Sequence, residues 1–225
     1  MNFRRLTAAV VISSLAVSSY AYAANFTDTQ GHWAEEIINT LSDAGIVNGV
    51  GGDRFNPDGT VTRAEFVRMA LGAAGIGTTP YRAGECLDVS ANDWFAPYVQ
   101  SALDKGLIPE GMIRGYSVEE KDNKITFGGV FSANTPIKRE EMAYITQSVY
   151  QYSLGDGELQ NLEIPVDMPF EDVSAISRWA AEGVRYAYTN ELIFGMDNGT
   201  FAPQSTATRA QAASIINNLL KKQGV

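Results

Sequence analysis

The chain has little of the side-chain chemistry that metal centres and thiol enzymes need. Its 225 residues include one cysteine, Cys86, and one histidine, His32. One cysteine cannot form a disulfide within the chain, and a Cys–His nucleophile or a zinc site would need more of these side chains than the sequence supplies. We therefore expect no metal and no cofactor.

Basic residues are also scarce. The chain has 17 Lys and Arg residues against 26 Asp and Glu residues, which gives a formal net charge of −9. Nucleic-acid binding needs a basic face, so this balance argues against a nucleic-acid partner. The overall field of the protein also repels anions, so any anionic ligand must be held by a few local hydrogen-bond donors.

Long apolar runs are absent after the first 23 residues. The segment 1–23 has a basic start at 4–5, an uncharged, largely apolar stretch at 6–20 and the small-residue sequence Ala-Tyr-Ala at 21–23. This pattern predicts a signal peptide over 1–23 and an exported protein. We expect no membrane association once the signal is removed, because no later segment is long and apolar enough to span a bilayer.

A phenylalanine precedes an arginine by eight residues at three places in the chain. The pairs are Phe55 with Arg63, Phe131 with Arg139, and Phe201 with Arg209. Recurrence at a fixed spacing indicates an internal repeat. The apolar periodicity around each pair predicts a helix, a turn-rich connection and a second helix that begins at the arginine.

The start of the second helix carries a capping signal in two of the three repeats. Thr62 with Glu65, and Thr208 with Gln211, have the spacing of a capping box, in which each side chain binds a backbone N–H of the other. Lys138 replaces the threonine in the middle repeat, so we expect a weaker helix start there. This change and the longer connection leave the middle repeat's site in doubt.

The repeats divide the chain into three units. We place them at 24–76, 87–151 and 170–222, and the second unit contains an insertion near 109–130 that predicts a short hairpin. A unit of about 50 residues buries too little apolar surface to be stable alone. We therefore expect the three units to share one core around a pseudo-threefold axis.

The repeated residues match a known pattern. The first repeat carries it at Phe26, Asp28, Trp33, Ile38, Gly45, Phe55, Pro57 and Thr62-Arg63-Ala64-Glu65. The third carries it at Asp172, Trp179, Phe201, Pro203 and Thr208-Arg209-Ala210-Gln211, and the second more loosely at Asp88, Trp94, Gly106, Phe131 and Arg139. Together they resemble the S-layer homology domain, in three tandem copies.

The resemblance implies a mainly α fold in which three helix–loop–helix repeats pack as a pseudo-trimeric helical prism. It implies a non-catalytic module that anchors a secreted protein at the cell wall, in the surface layer. The ligand in this family is a secondary cell-wall polysaccharide that often ends in pyruvylated N-acetylmannosamine, and it binds in grooves between the repeats.

The resemblance assigns the carboxylate of such a ligand to Arg63, Arg139 and Arg209. An arginine can hold a carboxylate with two parallel hydrogen bonds, and the N–H groups of a helix start add a positive end. The alternative is that each arginine pairs with an acidic neighbour inside the scaffold.

Three further sets of residues are candidate groove residues. The tryptophans Trp33, Trp94 and Trp179 could offer a face to a sugar, or could pack half-buried at a helix start. The acids Asp28, Asp88 and Asp172 are candidate ligand contacts, with turn and cap chemistry as the alternative. Gly49 and Gly195 would let a ligand approach the backbone, although a turn alone explains them.

Two other functions remain open from the sequence. A cell-surface structural or adaptor protein would bind another surface protein, with the insertion at 109–130 as the docking surface. A wall-active glycosidase would need two carboxylates at a defined separation in a cleft. The acidic residues here lie mostly at predicted caps and turns, which disfavours the glycosidase.

Overall fold

The computed structural model describes residues 26–82, 86–121, 124–155 and 162–224. The predicted signal peptide at 1–23 lies outside the described residues. Six α-helices dominate the described chain, with one small antiparallel sheet between them. The prediction of a mainly α fold with a hairpin in the second repeat is confirmed.

The helices come in three pairs along the chain. They are α1 (Glu35–Asp43), α2 (Arg63–Ala73), α3 (Ala96–Asp104), α4 (Arg139–Leu154), α5 (Ala181–Thr189) and α6 (Arg209–Gln223). Two short 3-10 helices lie at Glu110–Met112 and Val173–Ala175, and the hairpin strands are β1 (Arg114–Lys121) and β2 (Lys124–Val130). The hairpin occurs only in the middle pair among the described residues, inside the predicted insertion.

The second helices of the three pairs, α2, α4 and α6, contact one another around a common axis. Each first helix packs against the second helix of the preceding repeat: α3 on α2, α5 on α4, and α1 on α6. One core of buried side chains therefore runs through all three repeats, and Phe55, Phe131 and Phe201 are fully buried in it. This interleaving explains how units that are each too small for a stable core fold together.

A closed ring of backbone hydrogen bonds marks the axis. The Ile137 N–H donates to the Val61 carbonyl at 3.0 Å, the Ala207 N–H to the Ile137 carbonyl at 3.3 Å, and the Val61 N–H to the Ala207 carbonyl at 3.3 Å. All three residues are buried. The middle segment therefore occupies the same structural position as the other two, which establishes the pseudo-threefold arrangement.

The helix starts are tied into the same ring. The first N–H of α2, at Arg63, donates to the Thr135 carbonyl at 3.0 Å, and the next, at Ala64, donates to the Ala133 carbonyl at 2.9 Å. Equivalent bonds hold the starts of α4 and α6. These N–H groups are already satisfied by the scaffold, so they do not supply the positive end that the sequence suggested for a ligand.

The capping boxes form where they were predicted. The side chains of Thr62 and Thr208 accept from the third helical N–H of α2 and α6. Lys138 offers no acceptor at the start of α4, although the Glu141 carboxylate still accepts from the Lys138 N–H at 3.0 Å. The middle helix therefore keeps half of the box, as expected from the loss of the threonine.

Candidate functional site

The three repeat arginines are buried where neighbouring repeats meet. Each one crosses to the next repeat and donates to the carbonyl of that repeat's core phenylalanine. The bonds are Arg63 to Phe131 at 2.7 Å, Arg139 to Phe201 at 2.8 Å, and Arg209 to Phe55 at 2.9 Å. The guanidinium groups of Arg139 and Arg209 also lie over the rings of Phe201 and Phe55. Each arginine is therefore a structural bridge between two repeats.

Two of the three junctions open into cavities that contain several of the predicted site residues. The Arg209 groove has a volume of about 250 Å³ and is lined by Gly49, Glu65, Arg68 and Trp94 besides Arg209, among others. One junction thus brings together an arginine from the third repeat, a glycine from the first and a tryptophan from the second.

The Arg139 groove has the same plan, rotated by one repeat. It has a volume of about 530 Å³ and contains Arg139 from the second repeat, Gly195 from the third and Trp33 from the first. Gln211 occupies the place that Glu65 has in the Arg209 groove. The two grooves are therefore equivalent in position but different in charge.

The tryptophan of the third repeat packs against the second repeat. Trp179 lies so close to Gly111 that a Cβ atom there would sit 2.3 Å from the indole Cγ. The indole ring also contacts the Tyr144 ring, with the centroids 6.0 Å apart. Trp179 therefore packs in the scaffold, while Trp33 and Trp94 are 62% and 53% exposed. Of the two roles that the sequence left open, packing describes Trp179. Trp33 and Trp94 line the grooves, and Trp94 also contacts the rings of Phe95 and Tyr98.

The three arginines differ in their acidic partners. Arg63 forms a two-point pair with Glu141, and the two side chains are only 6% and 1% exposed. Arg209 donates through Nη1 to Glu65 Oε1 at 3.2 Å. Arg139 has no carboxylate within ion-pair distance in the part of the chain that the structure describes. The alternative of a scaffold ion pair thus describes two of the arginines and not the third.

Burial lowers the pKa of both groove arginines. The charges of Glu65 and Asp28 oppose this lowering of the pKa for Arg209, and the charge of Asp172 opposes it for Arg139. Arginine nevertheless stays protonated in proteins. Arg139 is therefore a buried cation at the wall of an open groove.

The three predicted aspartates hold the turn after each core phenylalanine. Both oxygens of Asp172 accept backbone hydrogen bonds, from the Phe201 N–H at 2.7 Å and the Ala202 N–H at 2.8 Å. Asp28 and Asp88 make the same pair of bonds in their repeats. The residue after each phenylalanine has a left-handed backbone, with φ of 54° at Ala202. The carboxylates therefore fix a strained turn and lie in none of the cavities described above.

The two predicted glycines line the grooves, and each lies against a phenylalanine ring that leaves no room for a side chain. A Cβ atom at Gly49 would lie 2.5 Å from the Phe26 ring, and one at Gly195 would lie 2.3 Å from the Phe170 ring. Because these residues have no Cβ atom, the connection between the two helices of a repeat can pack directly against the segment that precedes the first helix. The glycines thereby set the shape of the groove wall.

Three groove features were not assigned from the sequence. Phe194 and Met196 are exposed apolar walls of the Arg139 groove, and Gln211 was assigned to capping alone. The change from Glu65 and Glu141 to Gln211 at equivalent positions was visible in the repeat alignment. Its meaning was not visible, because only the fold shows that this side chain faces the preceding repeat's arginine.

The described residues contain no group of three or more His, Cys, Asp and Glu side chains that could hold a metal ion. Within the same residues, no helix has the length and apolar character needed to cross a membrane.

Comparison with known proteins identifies two of the repeats. The family model described as "S-layer homology domain" matches residues 25–67 and 169–213. The chain is 34% identical over 207 residues to an amylopullulanase of Thermoanaerobacterium thermosulfurigenes, covering 92% of this chain and 10% of that protein.

Two further relatives agree with this pattern. An exoglucanase XynX of Acetivibrio thermocellus is 34% identical over 197 residues, which cover 88% of this chain and 16% of that protein. The surface-layer 125 kDa protein of Lysinibacillus sphaericus is 27% identical over 222 residues, 96% of this chain and 16% of that protein. The chain thus spans only a tenth to about a sixth of the relatives it matches.

The likeness to the two enzymes is confined to that small share of their length, so it carries no catalytic activity to this chain. S-layer homology domains anchor proteins to the cell wall, and the family match with the surface-layer relatives gives this chain a cell-surface, wall-associated location. The chain contains two S-layer homology domains, at residues 25–67 and 169–213.

Proposed function

We propose that the chain is a non-catalytic module that binds a secondary cell-wall polysaccharide with a pyruvylated amino-sugar terminus. The observation that carries the proposal is the pairing of a buried arginine with an exposed tryptophan in one open groove, found twice. The pyruvyl group supplies the carboxylate for the arginine, and the sugar ring supplies an apolar face for the indole.

The physical fit of this ligand class is good on both counts. A guanidinium binds a carboxylate with charge-assisted hydrogen bonds that are about twice as strong as neutral ones. An aromatic ring gives a rigid, amphipathic contact surface with a low entropy cost. A neutral sugar would satisfy the tryptophan but would leave the arginine's charge unused.

The other candidate residues act on the ligand through the groove's shape in this proposal. Asp28, Asp88 and Asp172 hold the turns that place each core phenylalanine carbonyl beneath an arginine. Gly49 and Gly195 keep the connecting arm close to its own repeat. We also propose ligand contacts for Arg63 and Trp179, which a ligand could reach only by displacing Glu141 from Arg63 and the indole from its packing.

The experiment changes the ligand and leaves the protein intact. Purified wall polymer is compared with the same polymer after chemical removal of pyruvate, in a sedimentation assay with the exported chain. We expect retention on the native polymer and a strong loss on the depyruvylated one. Equal retention on both would overturn the pyruvyl assignment, and no retention on either would overturn wall-polymer binding.

A single-site variant provides the matched control. Trp33→Ala changes an exposed side chain, so the protein should remain folded. We expect it to weaken retention on native polymer and also to lower any residual retention on depyruvylated polymer, because the indole contacts the sugar ring and not the pyruvyl group. An assay for release of reducing sugar from the wall tests the non-catalytic assignment, with no release above background as the expected result.

A further inference from the structure

We propose that Gln211 makes the Arg139 groove the primary site for the ligand's carboxylate. At the other two junctions, Glu141 and Glu65 already pair with Arg63 and Arg209. The inference rests on the proposed function and specifies where it operates. It makes the three repeats unequal in binding although they are equal in fold.

The guanidinium groups of Arg139 and Arg209 make different sets of hydrogen bonds. Arg139 Nε donates to the Phe201 carbonyl and Nη2 to the Phe194 carbonyl, each at 2.8 Å. Its Nη1 has no hydrogen-bond partner among the residues that the structure describes. The corresponding atom of Arg209 donates to Glu65 Oε1 at 3.2 Å. Arg139 therefore keeps one nitrogen for an external acceptor.

The side-chain amide of Gln211 has a fixed orientation. Its Oε1 accepts from the Thr208 N–H at 3.1 Å in the capping box, which fixes which end of the amide is which. The Nε2 group is then a second donor in the same groove, because Gln211 lines the cavity beside Arg139. A glutamate at this place would be an acceptor that neutralises the arginine, as Glu65 does at the other groove.

The charges around Arg139 also favour an anionic ligand. Arg139 is 5% exposed, and a buried cation without a paired anion is unfavourable. Both oxygens of Asp172 are already engaged by backbone N–H groups. Asp197 lies at the exposed rim, where water and salt screen its charge. A ligand carboxylate would therefore supply the direct ion pair that Glu141 and Glu65 supply to the arginines of the other two junctions.

The Arg209 groove is the competing site, because it contains a second cation. Arg68 lines it, with Nη1 donating to the Ile46 carbonyl at 3.4 Å. A ligand that enters this groove must nonetheless displace or share the Glu65 contact with Arg209. The two grooves can therefore be separated by exchanging their two capping residues.

The test exchanges Glu65 and Gln211 and measures binding of pyruvylated N-acetylmannosamine by calorimetry. Each single variant carries the residue that the chain already has at the equivalent position, so both capping boxes are retained. We expect Gln211→Glu to weaken binding by about 10- to 100-fold, the value of one charged hydrogen bond. We expect the double variant Glu65→Gln with Gln211→Glu to regain binding, now in the Arg209 groove.

The outcomes separate the two proposals. If the unaltered protein binds the pyruvylated sugar no better than N-acetylmannosamine, the proposed function fails. If it binds the pyruvylated sugar and Gln211→Glu leaves the affinity unchanged, the function stands and the primary role of the Arg139 groove is overturned. Thermal unfolding of each variant checks that lost binding does not reflect lost folding.

Discussion

The Arg63 and Arg139 junctions have the same backbone frame and opposite chemistry. Arg63 donates through Nε and Nη2 to the two carboxylate oxygens of Glu141. Trp179 packs against Gly111 in the connection between the two helices of the second repeat. Arg139 lines an open groove together with Gln211 and the exposed Trp33. One repeat position has become scaffold and the other has kept a polar opening.

The repeats of this protein therefore differ in chemistry without a change of fold. The arginine serves two purposes at every junction, because it bridges two repeats through a phenylalanine carbonyl and also presents a charge. The residue that arrives from the next helix start decides whether that charge is used internally. A single oxygen-to-nitrogen change, glutamate to glutamine, separates the two states.

The largest effect should come from breaking the locked junction. Arg63→Ala leaves the Glu141 carboxylate buried, at 1% exposure, without its cation. We expect a loss of about 3–5 kcal/mol in the free energy of unfolding, the cost of an unpaired buried charge. Urea denaturation gives the value. Arg139→Ala is the matched control and should cost less, because it leaves no carboxylate behind. Equal losses would show that the two junctions are not different in charge.

The packing of Trp179 can be tested through the glycine beneath it. Gly111→Ala would place a Cβ atom within the indole ring's contact distance, and we expect it to destabilise the fold by about 1–3 kcal/mol. Gly72→Ala is the control, because this glycine lies inside α2 with no neighbour near a Cβ. It should stabilise by about 0.5–1 kcal/mol. An unchanged free energy of unfolding in Gly111→Ala would mean that the Trp179 indole moves aside readily.

The two exposed tryptophans should differ in binding and agree in stability. With the Arg139 groove as the primary site, Trp33→Ala should weaken binding of the pyruvylated sugar by about tenfold, the upper range for an aromatic contact. Trp94→Ala, in the Arg209 groove, should change the affinity less. Neither change should shift the melting temperature much, because both rings are largely exposed. A larger effect of Trp94→Ala would reverse the order of the grooves.

A smaller effect is expected in acid at the turn beneath Arg209. Burial raises the pKa of Asp28, but hydrogen bonds from the Phe55 and Asn56 N–H groups lower it by more, so the pKa lies below its usual value of 3.8. The unfolded chain then binds this proton more readily, and Asp28 stabilises the fold above about pH 4. That contribution should be lost as the pH falls through the folded pKa.

The measurement is the urea midpoint between pH 6 and pH 3. Asp28→Asn removes the titrating group, so its midpoint should fall less over the acid range than that of the unaltered protein. The variant should be less stable at pH 6, because its amide has one acceptor where the carboxylate has two. Parallel pH profiles would show that the Asp28 carboxylate does not support the turn.

Much of the fold was accessible from the sequence because it is written three times. The fixed spacing of Phe201 to Arg209 and its two counterparts predicted the helix starts, and the Thr62 and Glu65 capping box gave the start of α2. The left-handed backbone at Glu191, with φ of 57°, matches Gly45 and Gly106 at 70° and 65°. That agreement could be inferred only by aligning the repeats, since glutamate alone gives no such signal.

The site was less accessible, because each groove combines residues from three repeats. The sequence names Arg139, Trp33 and Gln211 but does not place them in one cavity, since they are distant in the chain. Which repeats share a groove depends on the order in which the three repeats pack around the axis, and the spacing of residues in the sequence does not determine that order. Trp33 is exposed and Trp179 is packed. The packing of Trp179 likewise depends on a residue of another repeat, Gly111.

The position of the ligand's carboxylate can be seen in a crystal structure of the protein soaked with pyruvylated N-acetylmannosamine. We expect the pyruvyl carboxylate in the Arg139 groove, with an oxygen about 3 Å from Arg139 Nη1 and the sugar against Trp33. A ligand bound only at Arg209 or Arg63, with the Arg139 groove empty, would contradict this expectation.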